Sequence, residues 1–255
     1  MRNLFAFSLA AILSTLPCTS NAAEKVGETV RVSVQIRGDS GTLSKGDAIH
    51  RNERIRSNAS GTGAFVFEDG TKLAVGPNSA IVIDEFVYKG GAKVEKLVLG
   101  ATKGTFRWIS GKSDSSAYKI RTPSGALGVR GTAFDVYVAP DGTTAVTLLN
   151  GTAEFCTSKG CERLDRRCEY LLARPNGDIS KPKGVVRDIG VGKSAEDVFP
   201  FLTGNAGLPR GFRGGSGCAG LSADTGGGGS GFAPTPQRPT PKPKPPERPT
   251  DNIDG

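Results

Sequence analysis

Four Asx-Gly dipeptides, Asp69-Gly70, Asp141-Gly142, Asn150-Gly151 and Asn176-Gly177, punctuate stretches in which apolar and polar residues alternate. Alternation with a period of two marks half-buried strands, and an Asx-Gly pair readily supplies positive φ at both central positions of a tight hairpin turn. "AFVFEDGTKLAV" puts Phe65 and Phe67 on one face before the first pair, and "FDVYVAPDGTTAVTLL" does the same with Phe134, Val136 and Val138 before the second. The pattern predicts an all-β chain: a twisted β-solenoid-like or sandwich stack of short, mostly hairpin-connected strands. Periodicity alone does not choose between solenoid and sandwich. One helix signal stands out, "SAEDVFPFL", where Ser194 caps a single turn that Pro200 ends.

The two ends of the chain have a different composition. Residues 1–23 carry one charge, Arg2, then an apolar run from Leu4 to Leu16, then small residues ending at Ala22-Ala23. This is the pattern of a cleaved secretory signal peptide, too short in its apolar part to span a bilayer. Cys18 invites a lipoprotein reading, but Pro17 occupies the position where lipid attachment requires a small residue. Residues 24–202 hold the alternating pattern and suit one core. Residues 203–232 are a glycine-rich linker expected to bury too little surface to order itself, and residues 233–255 are a proline-rich, basic, disordered tail of polyproline character. No later stretch is apolar enough to predict a transmembrane segment after signal removal, so the expected location is periplasmic or secreted.

Of five cysteines, Cys18 leaves with the signal, which leaves Cys156, Cys161, Cys168 and Cys218. In an oxidising compartment four cysteines read as two disulfides, with three pairings formally open. "FCTSKGCERL" places the first two on either side of a four-residue turn, facing each other across a hairpin; Cys168 with Cys218 then follows by elimination. A zinc site is disfavoured by the spacing and by a single histidine, His50. No metal and no cofactor is expected.

The formal charge is +8, of which +7 remains without Arg2. Basic residues are scattered among carboxylates along the strand region and aromatics suited to base stacking are few, so no nucleic-acid partner is expected. The basicity suits an anionic envelope surface or peptidoglycan. In the tail, Arg238, Lys242, Lys244 and Arg248 outnumber Glu247, and prolines keep them exposed as possible contacts.

Three segments together carry a resemblance: "LSKGDAIHRNERIRSNASGTGAFVFEDGTKLAVGPNSAIVIDEFVY", "LVLGATKGTFRWISGK" and "YKIRTPSGALGVRGTAFDVYVAPDGTTAVTLLNGTAEF". The carrying elements are Lys45-Gly46-Asp47, Asp69-Gly70 followed by Gly76-Pro77-Asn78-Ser79, Lys103-Gly104 with Phe106 and Trp108, and Thr122-Pro123 with Gly128-Val129-Arg130-Gly131-Thr132 and Phe134. In this order they closely resemble the FecR domain, over roughly Thr42 to Cys168. The resemblance implies a non-enzymatic extracytoplasmic β domain of Gram-negative bacteria. In the best-known members this domain sits on the periplasmic side of an inner-membrane sigma-factor regulator and relays a signal from a TonB-dependent receptor. The expected plan of this chain departs from theirs, with no cytoplasmic sigma-binding segment, a cleavable signal in place of an anchor, and low complexity in place of a receptor-facing module. Only the β module is carried over.

Arg130 poses the sharpest question, since it interrupts a strand-like run at the arginine of the family's Val-Arg-Gly-Thr motif. It is read as a buried plug tying strands together, with Asp69 or Asp135 as counter-charge, and alternatively as a ligand contact. Gly131, Thr132, Asp69 and Gly70 are the accompanying motif positions. Other candidates read as structural or inert: His50 as a solvated histidine, Trp108 as core, "GGGGSG" as a linker, and the sequons at Asn58 and Asn150 as chance. Asp84 and Glu85 are expected to point to opposite faces, which argues against a glycosidase pair. The sequence thus reads as a non-enzymatic FecR-domain binding or scaffold module of the envelope. A soluble accessory of an envelope signalling system is the alternative, and a polysaccharide-acting enzyme a third.

Overall fold

A computed structural model describes residues 23–90, 92–185, 188–202, 207–214 and 218. The predicted signal peptide up to residue 22, much of the glycine-rich linker and the whole proline-rich tail lie outside the described residues. Strands are the dominant element of the described chain: β1 (Lys25–Ser33), β2 (Ile36–Gly38), β3 (Gly41–Leu43), β4 (Ala48–His50), β5 (Arg54–Ser57), β6 (Thr62–Phe67), β7 (Lys72–Val75), β8 (Ala80–Gly90), β9 (Lys93–Ile109), β10 (Tyr118–Thr122), β11 (Gly125–Val138), β12 (Thr144–Thr157), β13 (Gly160–Leu164), β14 (Glu169–Ala173) and β15 (Lys183–Gly184). The one α-helical turn is α1 (Ala195–Val198), where Ser194 Oγ accepts from the Asp197 N–H, as its sequence predicts.

One hydrogen-bonded ladder joins these strands, and it folds over itself into two packed layers. The first layer runs β3-β2-β5-β8, the N-terminal half of β9, β10, the N-terminal half of β11, the C-terminal half of β12, and β13. The second runs β4-β1-β6-β7, the C-terminal half of β9, the C-terminal half of β11, the N-terminal half of β12, β14 and β15. Ile55, Ile83, Phe86, Leu97, Leu99, Ile120 and Leu127 from the first layer meet Phe65, Phe67, Phe106, Trp108, Phe134 and Val136 from the second in a single core. The rings of Phe67 and Phe86 lie 6.4 Å apart across the layers, and those of Trp108 and Tyr118 5.4 Å. Of the two architectures left open by the sequence, the structure is the sandwich.

The layers stay connected because β9, β11 and β12, far from being short, each belong to both. The crossing points are glycines in the left-handed region: Gly104 with φ 89°, Gly131 with φ 60° and Gly151 with φ 82°. At Gly151 a Cβ would also stand 2.6 Å from the Gly131 carbonyl oxygen, so the two strands can turn the corner together only without side chains there. Asn150-Gly151 is therefore a bulge inside β12 and not the hairpin turn its dipeptide predicts.

The other three Asx-Gly pairs do close hairpin-like turns, with a different geometry from the predicted two-residue form. Each is a three-residue loop in which only the glycine has positive φ. The Gly70 N–H donates to the Phe67 carbonyl and the Phe67 N–H to the Thr71 carbonyl, and the same pair of bonds recurs at Ala139–Thr143 and Arg174–Asp178. Asp69, Asp141 and Asn176 each accept, through Oδ1, the N–H two residues on. This side-chain mimic of a turn bond favours a type I turn with a left-handed glycine after it.

The outer faces of the two layers differ. That of the second layer is covered: Val198, Phe199 and Leu202 pack on Ala133, Tyr137, Ala145, Leu149 and Tyr170, and Phe201 and Phe212 pack on Ala64 and Ala74. Cys218 is fastened to Cys168 at the same face. Packing thus extends past Leu202, and the expectation of a fold that ends there is corrected by Phe212 and Cys218, two anchors embedded in the glycine-rich sequence. Among the described residues nothing is laid over the outer face of the first layer, the bare face.

Candidate binding face

The buried guanidinium of this fold belongs to Arg107, not to Arg130. Arg107 is 3% exposed and lies directly opposite Asp135, 0% exposed, in the β9–β11 ladder. Its Nε and Nη2 donate to the two carboxylate oxygens, both at 2.7 Å, while Nη1 donates to the Arg213 carbonyl at 3.1 Å. The Phe201 ring lies 5.6 Å under the guanidinium. Burial pushes the Asp135 carboxyl above its ordinary value, and the attached guanidinium opposes that rise. The sequence signal was available: Phe106-Arg107-Trp108 and Phe134-Asp135-Val136 are the same pattern, one charge between two apolar residues, with opposite signs.

Asp69 is also buried, 1% exposed, but neutral donors satisfy it instead of a cation. Its Oδ2 accepts from Thr71 Oγ1, Ser113 Oγ and Tyr118 OH at 2.9, 2.9 and 2.6 Å. Burial first, then donation to Asp69, pushes the Tyr118 phenol above its ordinary value. The cluster ties the β6–β7 turn to the start of β10, and Gly70 completes that turn at φ 83°. Thr132 donates its N–H to Ser110 Oγ at 3.3 Å, beside the bulge at Gly131.

Arg130 falls on the bare face because Leu127 and Val129 take the inward positions of β11. It is exposed, and among the described residues its guanidinium makes no hydrogen bond or ion pair. It stands at a groove of about 570 Å³ whose lining includes Lys119 on β10, Gly128 and Ala126 on β11, Glu154 on β12, and Ser115 and Ser116. The register sets Lys119, Gly128 and Glu154 side by side across three strands. Gly128 has no conformational need to be glycine: its φ is not positive, and a Cβ would meet only the Glu154 carbonyl oxygen, at 3.8 Å. Its consequence is a bare strip of backbone between a cation and a carboxylate, with Arg130 two residues along. Side chains of opposite charge flanking an open strip suit recognition of a polar, charged ligand.

The remaining candidates separate cleanly. Cys156–Cys161 and Cys168–Cys218 are both disulfides, as expected, and the first lies in register across β12 and β13. His50 is half-buried, its Nδ1 3.5 Å from Glu53 Oε2. Trp108 is core, its Nε1 donating to Ser110 Oγ at 3.1 Å. Asp84 and Glu85 do not point to opposite faces: a bulge between Ile83 and Glu85 leaves both partly exposed between inward Ile83 and Phe86. Glu85 is held by Lys96 at 2.5 Å, a hydrogen bond that keeps its carboxyl below the ordinary range, the reverse of what a general acid needs. Arg238, Lys242, Lys244 and Arg248 lie outside the described residues. Among the described residues no group of His, Cys, Asp and Glu could hold a metal ion, and no helix is long and apolar enough to cross a membrane.

The family model described as FecR protein matches residues 53–154, from β5 through most of β12. Two crystal structures of a candidate anti-sigma factor from Parabacteroides distasonis, at 2.50 and 1.65 Å, resemble the chain with TM-scores of 0.45 and 0.44 at 18% identity. The similarity covers 59% of this chain and 64% and 65% of theirs, so the chain spans just under two thirds of their length. No protein of curated function matches it. Gly128-Val129-Arg130-Gly131-Thr132 stands at the bend between layers, and the match to the FecR family model at residues 53–154 runs through both layers.

Proposed function

We propose that this chain is a non-enzymatic binding or scaffold module of the bacterial cell envelope, working outside the cytoplasm through the bare face of its first layer. The observation that carries the reading is the groove at Arg130, where Arg130, without a hydrogen bond or ion pair among the described residues, and Lys119 face Glu154 across glycine-floored backbone. Recognition by strand addition has little support, since the terminal strands β3, β4, β13 and β15 are all short. Two disulfides favour an oxidising compartment. The tail adds weak, salt-sensitive contacts with peptidoglycan or anionic surfaces through Arg238, Lys242, Lys244 and Arg248.

The FecR domain itself favours a second reading, a soluble accessory of an envelope signalling system. One experiment tests both. A photo-crosslinking residue at Lys119 in intact envelopes should give a discrete adduct that Arg130→Met abolishes, with the melting temperature unchanged. An adduct with a receptor or a regulator ectodomain selects the signalling reading. No adduct, or one indifferent to Arg130, removes the groove as the binding site.

A further inference from the structure

At the opposite end of the bare face, the β2–β5 ladder places two arginines directly across from each other. Arg37 and Arg56 are Cα partners, both exposed, and Arg54 shares their face two residues along β5. Like charges directly opposite in an antiparallel pair destabilise a sheet. Among the described residues none of the three guanidinium groups has a hydrogen bond or ion pair. The adjacent carboxylate, Asp39, uses Oδ2 to accept the Arg54 backbone N–H at 2.9 Å.

The register extends the pattern across the layer. Arg56 continues through Ala80 to Lys103, and Arg54 through Val82 and Gly100 to Arg121. Ala80, Val82 and Gly100 separate the cations, and the Asp84 carboxylate lies over Gly100 between Arg54 and Arg121, so the low, uncompensated part of the strip is its β2–β5 end. Glu85 tempers the far end, lying 3.9 Å from Arg121 and 2.5 Å from Lys96. Among the described residues neither Arg37 nor Arg56 has a carboxylate within ion-pair distance, the nearby Asp39 being engaged by the Arg54 backbone N–H. Val87, 41% exposed, lies opposite Lys96 in the β8–β9 ladder.

We infer that Arg37, Arg54 and Arg56 form a docking surface for an anionic phospholipid bilayer, with guanidinium forks meeting headgroup phosphates. Adjacent strands lie about 4.8 Å apart, a spacing at which two forks converge on one phosphate. A low surface of clustered guanidinium groups matches a bilayer of anionic headgroups better than a nucleic acid or a glycan, because none of these outward positions offers an aromatic ring for stacking. The site is separate from the groove at Arg130, and its test does not depend on that reading.

The test compares the full mature chain with Arg37→Ser/Arg54→Ser/Arg56→Ser in sedimentation with vesicles of phosphatidylcholine containing roughly 30% phosphatidylglycerol, at about 50 mM salt. Wild type should sediment with these vesicles and not with phosphatidylcholine alone. The triple variant should bind about 100-fold more weakly, since each basic residue at an anionic surface contributes about fivefold. It should also melt no lower than wild type, because a repulsive pair has been removed. A charge-matched control, Lys45→Ser/Lys112→Ser/Lys193→Ser, should lose much less. The assignment is overturned if wild type ignores the anionic vesicles, if the triple variant binds like wild type or melts lower, or if the control loses as much.

Discussion

Arg107 and Arg130 sit in similar strand contexts, one in each layer of the sandwich, and have opposite surroundings. Arg107 is enclosed by Asp135, the Arg213 carbonyl and the Phe201 ring, under the segment fastened by Cys168–Cys218. Arg130 stands in the open beside a groove and pairs with nothing among the described residues. The difference comes from what covers each layer, since both arginines point away from the shared core. A charge on an outer face becomes structural when a later part of the chain is laid over it, and remains available to a partner when none is. The covered face therefore holds the fold together, and the bare face is the surface we propose for binding.

If that contrast is right, substitutions on the two faces separate stability from binding. Arg107→Met strands the buried Asp135 carboxylate and should cost about 3 to 5 kcal/mol in chemical denaturation. A loss under about 1 kcal/mol would mean that the pair is solvated and that the second layer is not closed. Cys168→Ser/Cys218→Ser releases a loop with a sequence separation of 50 and should cost close to 4 kcal/mol, whereas Cys156→Ser/Cys161→Ser, with a separation of 5, should cost about 2. Equal losses would show that the long disulfide does not secure the covering segment.

The smallest expected effect is at the β11–β12 turn. The Thr143 N–H and hydroxyl hold the Asp141 carboxyl below its ordinary value. A depressed carboxylate contributes stability that is present above its unfolded pKa and is lost as pH falls through the folded one. Asp141→Asn keeps the Oδ1 acceptor, so it should flatten that acid dependence with little change near neutral pH. An unchanged acid limb in the variant would assign the dependence to another carboxylate.

How much of this was legible in the sequence depends on which interactions are local. The strand periodicity, the capped turn at Ser194, the facing cysteines and the motif series of the FecR domain all lie within short windows, and each appears in the structure. What the sequence hid was which outer face would be covered. Phe201, Phe212 and Cys218 lie far along the chain from the strands they cover, the last two in sequence that reads as linker. Without that cover, Arg130 and Arg107 look equivalent, and Arg130 drew the structural role because it stands in the motif. Likewise basic residues that are scattered in sequence, Arg37, Arg56 and Lys103 among them, converge only through strand register.

Gly128 offers the most direct test of the claim that the bare face is the working surface. It occupies the floor of the groove, its backbone does not require glycine, and a side chain there has room. Gly128→Val should keep or slightly raise the melting temperature, because valine favours strands, while filling the strip between Lys119 and Glu154. The decisive measurement is the melting temperature of this variant together with its capture of partners from intact envelopes by crosslinking at Lys119. Unchanged stability with lost capture is the expected result; lost stability, or capture equal to that of wild type, would contradict the account.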